Sequence, residues 1–438
     1  MLRVDTRETL GAFRPLNGVN GGTQILGGST DLTKAFEEMA IPLTRLHDIP
    51  FIDFDTVDIH YLFPDFERDP EDPSSYRFEK TDEHLKPLVE AGIEIIFRLG
   101  ESIEHGRKKY HVNPPADFQK WARICANVIR HYNQGWADGF HWNIQRWEIW
   151  NEPDMNPQCW TGSLEQYCEL YGQVAPVIRE VAPEVQVGGP ALAHDWDFFR
   201  AFLTYCRDHS LPLDFVSWHV YGNEPKKVIR RIEEGLDLLS ELQIQEVETH
   251  LTEWNFVSEF TFDPMQSRKV YARTKGIEGA AFTASTLALM QETDLDLACY
   301  YTAVGGIPGR LSMFDRYLAP HKPFYVFKAF ASVSTLPHRV CVEGNDRDTG
   351  LALVAGVDDA GRTAILLSNF AHPEDRHSLQ LQLPDSSKPL RCREWVLDEN
   401  RDLEFDREQV FSTSEITLQV NLPAPSVRLL IIEEQLSE

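Results

Sequence analysis

The chain of 438 residues is 42% apolar and 25% charged, which excludes wholesale disorder and suits two or three domains with a sizeable core. Its 42 Lys and Arg against 68 Asp and Glu leave a net charge of −26. Phosphate backbones and anionic lipid are therefore poor partners, and a neutral or cationic small substrate fits better. No uncharged apolar run approaches the ~20 residues that a membrane span needs.

At the N-terminus, Met1 to Glu8 carries charges where a signal peptide has its apolar stretch. The seven cysteines (125, 159, 168, 206, 299, 341 and 392) are odd in number and form no C-x-x-C pair. Both features predict a cytoplasmic protein with reduced thiols. Residues 1–14 match neither a helix nor the alternation that follows, and are assigned as an added strand of the C-terminal domain.

Between residues 15 and 335, short β-branched or aromatic runs alternate with helical patterns. Strands are expected at Leu16–Asn20, Leu43–His47, Glu94–Leu99, Arg146–Asn151, Val185–Gly189, Asp214–Tyr221, Thr249–Trp254 and Leu297–Thr302. Helices are expected at Asp31–Ala40, Thr81–Ala91, Pro115–Asn133, Leu164–Val181, Trp196–Asp208, Pro225–Leu242, Val270–Glu292 and Pro323–Val333. This count is that of an α/β protein built as a (β/α)8 TIM barrel. A doubly wound open sheet would want a Gly-rich phosphate turn after its first strand, and Gly18, Gly21 and Gly22 lack that spacing. Beyond residue 335 the helical pattern stops. Leu351–Val357, Arg362–Asn369, Ser378–Leu383, Glu394–Leu397, Ile416–Leu422 and Val427–Glu433 predict a C-terminal antiparallel β-sandwich over 336–438.

Active residues of such barrels sit at the C-terminal strand ends. The fourth strand ends in Trp150-Asn151-Glu152-Pro153-Asp154 and the seventh in Thr252-Glu253-Trp254-Asn255. Glu152 and Glu253 thus face one another across the mouth, the arrangement glycoside hydrolysis needs: one acid for the leaving oxygen, one carboxylate for the anomeric carbon. Arg45 with His47, and His219 with Tyr221, are spaced i, i+2 and share a face of their strands. Among the aromatics, packing is expected for at least one of Trp147 and Trp150, and sugar stacking for Trp160 and Trp254. Arg310, in the Gly-rich stretch Gly305–Ser312, would pair with a carboxylated sugar if turned inward, and is one more solvated charge if turned outward.

The segment Trp147-Glu148-Ile149-Trp150-Asn151-Glu152-Pro153-Asp154 resembles the acid/base segment of the clan A retaining glycosidases. Cys159-Trp160, Tyr167 to Tyr171, Val187-Gly188-Gly189-Pro190-Ala191, Ser217-Trp218-His219-Val220-Tyr221 and Leu251-Thr252-Glu253-Trp254-Asn255 follow in order. Together they resemble glycoside hydrolase family 39, the family of β-xylosidases and α-L-iduronidases, whose barrel also carries a sandwich. The resemblance implies that Glu152 is the acid/base, Glu253 the nucleophile and Asn151 the partner of the sugar 2-hydroxyl. It implies that Tyr221 and Arg45 keep Glu253 ionised while Glu152, in a less polar setting, stays protonated. His47 and His219 match sugar-binding positions of the −1 subsite. Clan A usually has a tryptophan on strand eight; here Cys299-Tyr300-Tyr301-Thr302 offers Tyr301 in its place.

The expectation is a retaining, exo-acting glycosidase that removes a terminal β-linked sugar, xylose first, from short oligosaccharides or glycosides. α-L-Arabinosidase, α-L-iduronidase-like and endo-acting activities are the rivals within this chemistry, and the −26 charge favours a neutral sugar over a polyuronide. A silent carbohydrate-binding protein and a metal- or phosphate-dependent barrel enzyme are the rivals outside it. No cofactor or metal is expected, since the 15 histidines form no ligand-spaced motif. Homo-oligomerisation is left open.

Overall fold

Eight short strands pair in sequence order and close into a parallel barrel: Gly18–Asn20, Leu43–Leu46, Glu94–Leu99, Arg146–Ile149, Gln186–Leu192, Phe215–Gly222, Glu248–Phe256 and Leu297–Tyr300. Pairing of Cys299 with Gly18 and of Tyr300 with Val19 closes the ring. The structure is a computed structural model that describes every residue except 26, 50–54, 262, 305–310, 316, 385, 387 and 436–438. Arg310 and most of its loop lie outside the described residues.

Strand alternation divides the barrel. Outward side chains such as Phe97, Trp147, Ile149, Val216 and Leu251 join the helices in one large apolar core. Inward, a small plug of Leu43, Ile96, Leu297 and Cys299 fills the lower barrel. Two residues further along the same strands, the same inward face carries Arg45, Arg98 and Tyr301. An apolar layer therefore underlies a polar one. At the fifth strand the chain crowds its neighbour, and a Cβ on Gly188 would meet the Phe215 carbonyl oxygen at 2.2 Å.

Nine strands form the second domain. Leu351–Val357, Thr363–Asn369, Ser426–Glu434, Leu390–Leu397 and Asp402–Phe411 build one face. Leu2–Thr9, Arg376–Gln382 and Glu415–Asn421 build the other. The ninth, His338–Glu343, bends from one to the other: residues 338–339 pair with the first face and 340–343 with Leu2–Thr9. Leu2, Val4, Leu353, Ile365, Leu379 and Leu418 meet in the shared core. The sandwich is not wholly antiparallel, because Leu2–Asp5 runs parallel to Leu379–Gln382. The strands His338–Glu343 and Asp402–Phe411 have no counterpart in the sequence expectation. The latter is a highly charged edge strand whose two register shifts break its alternation.

The helix expected at Val270–Glu292 is two helices, Pro264–Lys275 and Ile277–Met290, separated by Gly276 in an extended conformation. They differ because their surroundings differ. The first lies near the surface, whereas the second, which carries one charged residue, Glu278 in its first turn, is otherwise buried along its length between barrel and sandwich. Ser285 Oγ donates to the Gly350 carbonyl (2.6 Å) and Ser368 Oγ to the Ala281 carbonyl (2.9 Å), joining the domains. None of the described helices is long and apolar enough to cross a membrane.

Candidate active site

The polar layer above the plug is organised by Arg45, which is fully buried. Its Nε donates to Glu148 Oε2 (2.6 Å), Nη1 to Glu253 Oε1 (2.8 Å) and Asn20 Oδ1 (3.3 Å), and Nη2 to Asn151 Oδ1 (2.7 Å). One guanidinium thus ties together the first, second, fourth and seventh strands. Two carboxylates outweigh the desolvation of its charge and raise the Arg45 pKa further.

Glu253 receives a second donor, the Tyr221 hydroxyl, at 2.5 Å on Oε2. Burial pushes the Glu253 pKa up, while His219, Arg45 and Tyr221 hold it down. Glu152 has no such cation in contact. Its Oε1 lies 2.7 Å from His219 Nδ1 and its Oε2 accepts from the Cys159 thiol at 3.6 Å. Burial first, and then the nearby Asp154 charge, push Glu152 up to about 8. His219 goes the other way, to about 4, because burial disfavours the imidazolium. These shifts favour a neutral imidazole beside a protonated carboxyl at neutral pH, and the surroundings of the two glutamates differ accordingly. One oxygen of Glu152, one of Glu253 and a His219 ring nitrogen all lie within 4.8 Å of one another.

The backbone is distorted to achieve this. Trp150 and Glu152 have φ of 73° and 47°, Ala191 on the next strand 54° and Asp48 50°, left-handed values that non-glycine residues adopt at a cost and that cluster at sites. Glu152 N–H donates to the Ala191 carbonyl (3.0 Å). Asp154, two residues on, accepts from the backbone N–H groups of Ala193, His194 and Asp195 and locks the two loops together.

Other expected residues also converge here. His47 is buried next to Asp48 (3.5 Å), with its pKa well below the ordinary value through burial. Tyr301 donates its hydroxyl to Asp48 Oδ2 (3.0 Å) and stands edge-on to Tyr221 at 6.3 Å. Asn151 Nδ2, His47 Nδ1, His219 Nε2 and Glu148 Oε1 are among the buried polar atoms that have no partner among the described residues. Unsatisfied groups of this kind are costly unless a ligand completes them, and they suit sugar hydroxyls.

Two expectations are corrected. Trp160 and Trp254 are fully buried and offer no ring face to a sugar. The seventh strand continues to Phe256, and a register shift between Leu251 and Glu253 turns Glu253 inward. Trp254 consequently points outward, against Tyr300 and Phe282. Trp160 packs edge-on against Trp150 at 4.8 Å and donates its Nε1–H to the Ser163 carbonyl (3.0 Å). Trp147 and Trp150 are buried as well.

Glu148, Asn20, Asp48 and Cys159 escaped the sequence reading. Glu148 precedes Glu152 on the inward face of the fourth strand, so its alternation was a usable signal, as were the strand-end positions of Asn20 and Asp48. Cys159 stands in a segment that carries the family resemblance, but nothing local marks its contact with Glu152. Among the described residues, three groups of ligand-type side chains also come together: Glu152, His219 and Glu253; Asp58, His60 and Glu101; and His372, Glu374 and His377. In the first two, Arg45 and Arg98 already provide positive charge, through Glu253 and Asp58 respectively. Sequence spacing did not reveal the first two, which span different strands or loops; His372, Glu374 and His377 lie within six residues, so the expectation of no ligand-spaced set among the histidines is corrected there.

Similarity to known proteins agrees with this geometry. A β-xylosidase of Caldicellulosiruptor saccharolyticus is 29% identical over 160 residues, 34% of this chain and 32% of that one. The chain therefore matches about a third of the length of this curated relative. A glucosidase structure from Croceicoccus marinus superposes with a TM-score of 0.85 at 24% identity, covering 100% of this chain and 99% of the other. A monomeric β-xylosidase structure from Caulobacter crescentus gives 0.75 at 15% identity, with 99% of each chain covered. These two likenesses establish the fold. The model of the family described as Glycosyl hydrolases family 39 matches residues 16–272, the stretch that holds Arg45, Glu148, Glu152, His219 and Glu253. With barrel, sandwich and facing glutamates in place, the chain belongs to glycosyl hydrolase family 39.

Proposed function

We infer that the protein is a retaining, exo-acting β-xylosidase working on short oligosaccharides or glycosides. The observation that carries this reading is the facing pair of Glu152, which burial pushes up to about 8, and Glu253, anchored by Arg45 and Tyr221, with an oxygen of each within 4.8 Å of the other. That spacing accords with the short separation, about 5–5.5 Å, of retaining enzymes rather than the longer one that leaves room for a water.

In the first step a Glu253 oxygen forms a bond to the anomeric carbon as the glycosidic C–O bond breaks, and Glu152 gives its proton to the departing oxygen. In the second, Glu152 takes a proton from water, the water oxygen bonds to the anomeric carbon, and Glu253 is released as carboxylate. Asn151 Nδ2, oriented by its Oδ1 bond to Arg45, is placed to donate to the 2-hydroxyl. Both glutamates are under 10% exposed, so a chain end reaches them more easily than the middle of a polymer, which supports exo action. The β-xylosidase relative supports xylose as the sugar. The seven unpaired cysteines support a reducing, cytoplasmic setting.

The test is Glu253→Ala assayed on para-nitrophenyl β-xyloside with and without azide. Loss of activity and azide rescue to an α-xylosyl azide are expected. Unimpaired turnover by the variant, or release of sugar with inverted configuration by the wild type, overturns the mechanism. A panel of para-nitrophenyl β-xyloside, β-glucoside, α-L-arabinosides and an α-L-iduronide decides the sugar.

A further inference from the structure

Resting on the glycosidase reading, we propose that the loop after the third barrel strand forms a leaving-group subsite selecting a ring-shaped aglycone that carries a carboxylate. In a chain of net charge −26, residues 105–111 read His-Gly-Arg-Lys-Lys-Tyr-His, without a single acid. As the connection between Glu94–Leu99 and the helix Phe118–Gln134, this loop stands at the C-terminal rim of the barrel.

Its neighbour is the segment that carries the proton donor. Glu104 N–H donates to the Gln158 carbonyl (3.0 Å), and Thr161 N–H donates to the Val112 carbonyl (3.0 Å). The Thr161 hydroxyl also donates to Asn113 Oδ1 (2.9 Å). Gln158 adjoins Cys159, whose thiol touches Glu152. A group that protonates the leaving oxygen faces the leaving group, so this loop borders the aglycone side.

The loop is held in one shape. The Glu104 carboxylate accepts from the backbone N–H groups of Tyr110 (2.8 Å) and His111 (2.7 Å), and the Lys109 ammonium donates to the Glu104 carbonyl. His111 stacks on His60 at 3.6 Å, and His60 is clamped between Glu101 (2.5 Å) and Asp55 (3.0 Å). On this base Tyr110 stands 63% exposed with Lys108 Nζ over its ring at 4.6 Å. Arg107 and Lys108 are exposed and are ion-paired with no acid among the described residues. An exposed ring that carries Lys108 over one face, with the exposed Arg107 next in the chain and neither cation paired with an acid among the described residues, suits a flat or sugar ring bearing a carboxylate, which Arg binds in fork geometry. The subsite reverses locally the repulsion that the overall charge exerts on anionic substrates.

The test compares the β-xylosides of para-hydroxyphenylacetate and of its methyl ester, which differ in charge but hardly in leaving-group strength. Wild type is expected to favour the acid by about three- to tenfold in kcat/KM, the size that exposed ion pairs support. In Arg107→Ala/Lys108→Ala the acid should fall to the level of the ester, in Arg107→Glu/Lys108→Glu below it, and added salt should erase the preference. Xylosyl-glucuronic acid against xylosyl-glucose repeats the comparison with a sugar aglycone; a preference in one pair alone identifies the source of the carboxylate. Equal rates for acid and ester in wild type, or a preference that survives the double alanine variant, overturns the subsite. Failure of the activity reading is distinguishable. The same acid and ester on a β-glucosyl donor keep the subsite if the acid is preferred there while no xyloside is cleaved. Calorimetry of both xylosides on Glu253→Gln gives a readout without turnover: tighter binding of the acid supports the subsite, equal binding of the two counts against it, and absence of both counts against xylose as the sugar.

Discussion

Replacing Tyr221 by Phe removes one hydroxyl, and with it the 2.5 Å hydrogen bond to Glu253 Oε2, while the ring keeps its place against Tyr301. That bond favours the ionised carboxylate, so its loss raises the Glu253 pKa. A hydrogen bond to a charged acceptor contributes about 1.5–3 kcal/mol. At about 1.4 kcal/mol per pH unit, the acid limb of the kcat/KM profile moves up by about one to two units. The sign follows because the lost hydroxyl donates to the charged form: burial already pushes Glu253 above its ordinary value, and Arg45 remains as the cation in contact. The basic limb belongs to Glu152, near about 8, whose contacts are His219 and Cys159. It stays where it was, and the active window narrows from the acid side only. The assay is the pH dependence of kcat/KM on para-nitrophenyl β-xyloside for wild type and Tyr221→Phe. An acid limb that does not move, or a basic limb that moves as far, refutes the assignment of Glu253 as the ionised partner.

Glu152→Gln removes the basic limb and slows substrates with poor leaving groups by about 10²–10⁴-fold, whereas dinitrophenyl glycosides, which need little protonation, lose much less. In the same variant, stability should depend less on pH. The raised Glu152 pKa contributes stability that is full below its ordinary value of 4.5 and is lost as pH rises through about 8, as thermal melts across that range will record. Glu148→Gln leaves Arg45 with one buried carboxylate fewer, so kcat and the acid limb should change while KM holds; an altered KM alone would argue against a positioning role. Trp254→Ala and Trp160→Ala should each cost about 3–5 kcal/mol in urea unfolding through the cavity they leave. KM of the folded fraction should remain near wild type; a rise in KM without destabilisation would restore them as sugar-stacking rings.

Much of this site was legible in the chain because strand-end position is a local property. Alternation of short apolar runs with helices located the eight strands, and Glu152, Glu253, Arg45 and Tyr221 stood at or near their C-terminal ends before any contact was known. The same reasoning misplaced Trp254, since a register shift and two extra residues of strand reversed which side faced the mouth. It also merged two helices across Gly276, because apolar spacing alone does not reveal that one helix lies near the surface and the next between two domains.

Sequence by itself determined the order of strands and helices, the strand ends at or near which Arg45, Glu152, Tyr221 and Glu253 stand, and the net charge of −26. Tertiary structure alone decided what those residues do to one another. Arg45 meets Glu148, Asn151 and Glu253 across 103, 106 and 208 positions of chain, contacts that exist only once the barrel closes. The division of labour proposed for the glutamates rests on burial and on the identity of each contact, a guanidinium and a phenol for Glu253, an imidazole and a thiol for Glu152. Desolvation and through-space charge act over a few ångströms regardless of sequence separation, and for that reason no local pattern could carry them.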